Sequence, residues 1–282
     1  MILVAVLIAS ASVLVAESQN KITMRYRILK KALYSAFFCA CISTVAAECL
    51  TPKPHHLTRA QVTKVIDGDT LLLTDGRRLR MLYVDAPELN TATKKHAEPY
   101  ARSAKSWLQK RLPKGSTIYL AVGQRKRDRF KRVLAQVYDL ERRYLAAELL
   151  DAGLAQLIKI PPDNYPPQCL VDAEKQARIH KKAIWNSKLT APIAASQLKG
   201  AERKVIVEGR VSRRWQKGKR YYLMLDKRLL VSFEHSELFA ASLYEKAQKD
   251  SRIVLRGFAY RHGRQWRMKI KHAADVFVPE IE

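Results

Sequence analysis

The chain has 282 residues, 48% of them hydrophobic, which is enough for one or two domains with packed cores. Lys+Arg number 52 against 26 Asp+Glu, a formal net charge of +26, so a polyanion (nucleic acid or an acidic membrane face) is the first partner to consider. Gly 10 and Pro 11 exclude a collagenous or linker-like chain, and four Cys without a Cys-x-x-Cys pair exclude a disulfide-dense scaffold and give no sign of structural zinc.

Two apolar runs open the chain. Met1–Ala16 has no basic residue before it. Met24–Ala47 has the layout of a secretory signal: Arg25, Arg27, Lys30 and Lys31, then an apolar stretch, then Val45-Ala46-Ala47. Residues 1–47 are therefore expected to be a targeting segment of a secreted or periplasmic protein, with translation starting at Met24 and cleavage after Ala47. A retained membrane anchor is the competing reading. Residues 1–47 hold five basic residues and one acid, so the remainder keeps a net charge of +22. Only Cys49 and Cys169 lie beyond that point, and an oxidising compartment would allow them to pair or leave them free.

After a short extension (48–60) the first module occupies residues 61–186. Its alternation predicts strands at 61–66, 70–73 and 78–84, the second and third joined by the hairpin signal Asp75-Gly76. A helix follows over 97–112, with Pro99 in its first turn and Tyr100, Ala104, Trp107 and Leu108 as its apolar stripe. Strands at 116–122 and 133–138 flank the basic run Arg125–Arg132, and helices are expected at 145–152, stopped by Gly153, and at 168–182. Residues 187–200 turn to Ala, Ser, Thr and Pro and read as a linker. In residues 201–282 strands are expected at 204–213, 220–225 and 229–233, a helix at 236–248, and strands at 252–260 and 265–272. Three strands, a helix and two strands is the order of a five-stranded OB barrel. The expected fold is thus mainly β with α: an OB-type barrel with three helices, followed by a second OB-like barrel.

Between Val65 and Glu88 the chain concentrates acids around one strand arginine: Asp67, Asp69, Arg80, Asp85 and Glu88. Asp67-Gly68-Asp69 alone reads as a plain turn, and Asp85-Ala86-Pro87-Glu88 alone as a strand-ending loop. Together with Arg80 and a downstream arginine they ask for more. Adjacent strands would bring Asp69 and Asp85 close, and converging carboxylates repel unless a cation sits between them. Hard oxygen ligands choose calcium or magnesium over zinc.

The stretches VIDGDTLLL, RLRMLYVDAPE, DRFKRVLAQVY, LLDAGLAQL and KKAIWN, in this order over residues 61–186, resemble the staphylococcal nuclease (thermonuclease) family. The resemblance implies calcium-dependent hydrolysis of DNA and RNA phosphodiesters; the substrates are expected to be preferentially single-stranded and the protein a monomer. Asp69 and Asp85 then correspond to the Ca2+ carboxylates, the backbone carbonyl of Ala86 to a third ligand, and Asp67 to an acid beside the metal. Glu88 corresponds to the general base, and Arg80 and Arg132 to the arginines on the phosphate. The chain departs from the family at Phe130 and Lys131, where a Tyr and a Gly are common, and in IKIPPDNYPP, where Tyr165 is the remaining aromatic candidate for contact with the substrate.

The competing class is a non-catalytic nucleic-acid binder built from two barrels; charge supports both readings equally. In residues 201–282, 19 Lys+Arg and 10 Asp+Glu leave a net charge of +9, with Trp215, Tyr221, Tyr222, Tyr260 and Trp266 interleaved. Basic grooves with stacking aromatics bind single strands, so this module is expected to retain substrate. Alternatively, these aromatics close the core.

Overall fold

A computed structural model describes residues 49, 57–89, 97–159, 162–163, 166–200, 203–237 and 239–277. The expected targeting segment 1–47 and Tyr165 lie outside the described residues. Both barrels belong to one compact unit, Glu48–Glu282.

The first module runs β1 (Thr58–Val65), β2 (Thr70–Leu73), β3 (Arg78–Met81), β4 (Val84–Asp85), α1 (Ala101–Arg111), β5 (Thr117–Arg127), β6 (Val133–Tyr138), α2 (Leu145–Asp151), β7 (Gln156–Leu157) and α3 (Gln168–Ile179). Five of these strands close a barrel in the order β1-β2-β3-β6-β5, with β3 and β6 parallel. Val62, Leu71, Leu79, Met81, Leu120 and Leu134 fill it, and Ala104, Leu108, Leu149 and Leu170 pack the helices against it. The apolar residues of each helix fall at helical spacing, so burying one stripe holds both helix and barrel in place.

The strand expected over 78–84 is broken. It stops at Met81, and Tyr83 takes a left-handed backbone (φ 67), which no strand accommodates. Val84–Asp85 leave the barrel and pair with β7 (Val84↔Leu157, Asp85↔Gln156). The break swings Asp85 to the barrel's rim.

The second module runs β8 (Ile193–Ala194), β9 (Arg203–Lys217), β10 (Arg220–Leu225), β11 (Leu229–Glu234), α4 (Ala240–Lys246), β12 (Arg252–His262), β13 (Gln265–Lys269) and β14 (Val276–Phe277). Here β9-β10-β11-β13-β12 form a ring that the β12–β9 pairing closes, with β11 and β13 parallel. Val207, Leu223, Leu225, Val231, Leu255 and Met268 fill it. Within 187–200, Ile193–Ala194 pair with β9, and Ala195 and Leu198 are buried in this second core.

The modules meet through buried charge. Arg256 of β12, 1% exposed, points from the second barrel at α3 of the first. Its Nη1 and Nη2 donate to Glu174 Oε1 (2.5 Å) and Oε2 (3.1 Å), its Nε to Asp275 Oδ1 (3.1 Å) and its Nη2 also to the Ala274 carbonyl (3.1 Å). Lys159 of the first module pairs with Asp275 at 2.5 Å. Glu174 Oε1 also accepts the backbone N–H of Leu157 (2.6 Å). Arg256 and Glu174, the fully buried pair, are therefore matched and hydrogen-bonded, the condition under which such pairs persist.

Cys49 and Cys169 form a disulfide, with Cα atoms 5.8 Å apart and a sequence separation of 120. The bond ties the residue that precedes the first barrel to α3. No described helix is long and apolar enough to cross a membrane.

Candidate active site

The site lies where the β1–β2 turn, the end of β3 and the β4 segment converge. The turn can approach so closely because residue 68 has no side chain: a Cβ there would meet the Cβ atoms of Ala86 and Ala104, each at 2.6 Å. Asp67 Oδ1 accepts the N–H of Asp69 (3.1 Å) and fixes the turn.

Asp69 is buried. Its Oδ1 accepts the Thr70 hydroxyl (3.0 Å) and its Oδ2 the backbone N–H of Ala86 (2.8 Å), which fastens the β4 segment to the turn. Arg80, also buried, joins the two carboxylates: one guanidinium nitrogen pairs with Asp69 Oδ2, and Nη2 is 2.9 Å from Asp85 Oδ1. A further cation comes from the other barrel. Lys204 Nζ on β9 lies 2.9 Å from Asp85 Oδ2.

The charges shape the titration of these groups. Burial opposes ionisation of Asp85, but Lys204 and Arg80 outweigh it and hold its carboxyl below the ordinary range. Burial raises the Asp67 carboxyl, and the opposing charges of Arg80 and Arg132 do not fully compensate. Glu88 is also raised, by desolvation and by the charges of Asp67, Asp85 and Glu98, against Arg80. A raised carboxyl is the more basic one, which suits proton acceptance.

Arg132 stands on the rim and is held by Asp128. Asp128 Oδ2 accepts Arg132 Nε (2.7 Å), while its Oδ1 accepts the N–H groups of Phe130 and Arg132 (both 2.9 Å). Lys131 adopts φ 63, a left-handed backbone at the position where the resemblance would put a glycine. Phe130, 62% exposed, carries the guanidinium of Arg129 at 4.8 Å and that of Arg132 at 5.4 Å.

The structure thus joins Asp69, Arg80 and Asp85 in one ion-pair network, with Ala86 hydrogen-bonded to it. Glu88 and Arg132 couple to the network through charge. Sequence reading missed Asp128, whose Asp-x-x-x-Arg spacing was the available signal. It also missed Lys204, which no local pattern could connect to Asp85.

Among the described residues, no group of three or more His, Cys, Asp or Glu side chains could hold a metal ion. The converging donors are two carboxylates, both hard oxygen ligands that fit calcium or magnesium if backbone carbonyl, water and substrate oxygens complete the set.

The aromatics of the second barrel divide. Trp266 is 3% exposed within the core, so of the two readings open for these aromatics it follows the one in which they close the core. It sits one residue into β13, where the inward register, not the nearby turn, decides its direction. Trp215 and Tyr222 stack across β9 and β10 at 5.3 Å, with Arg213 over Trp215 at 5.0 Å.

A closed OB-type barrel carrying acids and arginines at one rim defines the class of fold and site. The family model described as staphylococcal nuclease homologue matches residues 78–187. A thermonuclease of Staphylococcus hyicus is 32% identical over 130 residues, covering 45% of this chain and 75% of that protein. An uncharacterised endonuclease of Escherichia coli is 31% identical over 129 residues, covering 45% and 76%. Endonuclease YhcR of Bacillus subtilis is 31% identical over 135 residues, covering 44% of this chain and 11% of that protein. The chain belongs to the staphylococcal nuclease family. Its relatives are nucleases, which supports a nuclease hydrolase here.

Proposed function

We propose that this protein is an exported, calcium-dependent nuclease that hydrolyses phosphodiester bonds of DNA and RNA, with single strands preferred. The observation that carries the proposal is the convergence of Asp69, Asp85 and Arg80 at one barrel rim, with a raised Glu88 beside them.

Asp69, Asp85 and the Ala86 carbonyl would hold Ca2+. When bound, the ion supplies positive charge that offsets the anionic phosphate. Arg80 and Arg132 would grip the phosphate with planar, permanently charged donors whose value grows as charge builds in the transition state. With a cation held by Asp69 and Asp85, the Arg80 guanidinium would be free to pair with the phosphate, which leaves no charge buried alone. Glu88 would accept the proton of the attacking water. Asp128 would keep Arg132 aimed at the rim.

The second barrel, basic and with the Arg213–Trp215–Tyr222 stack on its surface, would retain the strand. The Cys49–Cys169 disulfide supports export, because such bonds persist in oxidising compartments.

A non-catalytic binder is favoured by one observation, the Lys204 ammonium already paired with Asp85. A single assay separates the readings. The protein should degrade single-stranded DNA with calcium and stop on chelation. Binding without cleavage in calcium would establish the binder, and equal cleavage in excess chelator would reject the metal assignment.

A further inference from the structure

Positions along β9 and β12 alternate between the core and the outer face. Val205, Val207, Ile253, Leu255 and Ala259 belong to the second core. Lys204, Ile206, Arg256 and Phe258 therefore stand on the opposite, outer face. In the β9–β12 ladder Ile206 faces Arg256 and Lys204 faces Phe258 directly. Direct antiparallel partners have Cβ atoms about 4.5–5.5 Å apart, so each pair shares a surface patch.

This face of the ribbon is seated on the first module at two points. Arg256 is locked onto Glu174, and Lys204 is paired with Asp85. Phe258, the cross-strand neighbour of Lys204, stays 54% exposed. The fold thus leaves a large aromatic in water, next to the lysine that touches an active-site carboxylate. The buried Arg256 pair two residues away fixes where this aromatic stands.

We infer that Lys204 and Phe258 form a nucleotide subsite at the edge of the active site, in which Phe258 stacks on a base flanking the cleaved phosphate and Lys204 pairs with the phosphate of that nucleotide. The ligand class is a single-stranded nucleic acid, because only an unpaired base can present its face to a side chain standing out from a barrel wall. Every base has such a face, so the contact tolerates any sequence. Lys204 becomes available as Asp85 passes to a cation, which couples strand binding to metal binding. The inference rests on the nuclease reading for the identity of the cleaved bond. It makes the second barrel a wall of the site as well as a tether.

The test uses the full-length chain. In chelator, fluorescence anisotropy reads the binding of a labelled single-stranded DNA octamer. Phe258→Ala should weaken it roughly 10-fold, within the range of one lost base–aromatic stack. Phe258→Leu, which keeps apolar bulk without a ring, should show the same loss, and Phe258→Trp should restore binding. On an octamer of the same length lacking its bases, wild type and Phe258→Ala should bind alike. In calcium, Lys204→Ala should raise KM for octamer cleavage. The subsite is overturned if Phe258→Ala and Phe258→Leu bind the octamer like wild type, or if their loss persists on the strand without bases. Binding in chelator needs no chemistry, so it decides the subsite even for a wild-type protein that fails to cleave in calcium, a result that overturns the nuclease reading alone.

Discussion

The two barrels share a ring order, a parallel pairing of third and fifth strands, and a helix between third and fourth strands, yet they differ in where charge is buried. In the first, Asp69 and Arg80 are buried at the rim around a break in the third strand. In the second, Arg256 is the only buried charged residue among those described, and it points at the first barrel. One scaffold therefore serves two ends. Where strand ends desolvate a mixed set of acids and arginine, the barrel gains a site; where a single arginine is buried on the outer wall, it gains a partner. A fold of this kind does not by itself carry an activity, and the polar residues placed on it do.

The contrast can be broken from several sides. The first module has a covalent staple and the second has none. Cys169→Ala should cost the first module about 4–5 kcal/mol in the chain-entropy account of a loop this long. Urea unfolding followed through first-module probes should show the loss, with the second barrel's transition little moved. Equal loss in both barrels would mean that the staple serves the joint instead.

Arg256→Ala strands Glu174 in a buried setting. It should destabilise the protein by about 3–5 kcal/mol, the usual result of removing one partner of a buried pair. Because Glu174 also holds Leu157, and β7 holds Asp85, calcium affinity should fall as well. Calorimetry with calcium checks this; unchanged affinity would show that the second barrel does not brace the site.

The smallest effect has the opposite sign. Lys131→Gly should stabilise by about 0.5–1 kcal/mol, because a left-handed backbone strains any residue with a Cβ. A loss of stability in thermal unfolding would mean that the Lys131 side chain contributes more than its backbone costs.

The strand order of both barrels was legible in the sequence because alternation and turn residues such as Asp75-Gly76 are local signals. The break at Tyr83 was not: Met81 to Val84 are all apolar, with no glycine, proline or polar turn residue to mark it, and only pairing of Val84 and Asp85 with β7, some seventy residues on, pulls the chain out of the barrel. The residues of the rim network were legible through their charge. Its partners were not, because Lys204 reaches Asp85 from 119 residues away and Arg256 reaches Glu174 from 82. Neither separation leaves a periodic trace. For Trp266 the sequence left stacking and core closure both open, because the inward register of its strand, which decides its place, is set by pairing.

The central claim is that the acids and arginines of the first barrel cleave a phosphodiester, with Glu88 accepting the proton. A base acts deprotonated, and desolvation together with Asp67, Asp85 and Glu98 raises the Glu88 carboxyl against the pull of Arg80. The acid limb of kcat/KM should therefore report the Glu88 carboxyl, which a bound Ca2+ would draw down from its raised, metal-free position. The most direct measurement is the pH profile of single-stranded DNA cleavage in saturating calcium by wild type and Glu88→Gln. The account predicts a drop of about two to four orders of magnitude in Glu88→Gln, with the acid limb gone. A variant that keeps most of its activity and the same acid limb would contradict it.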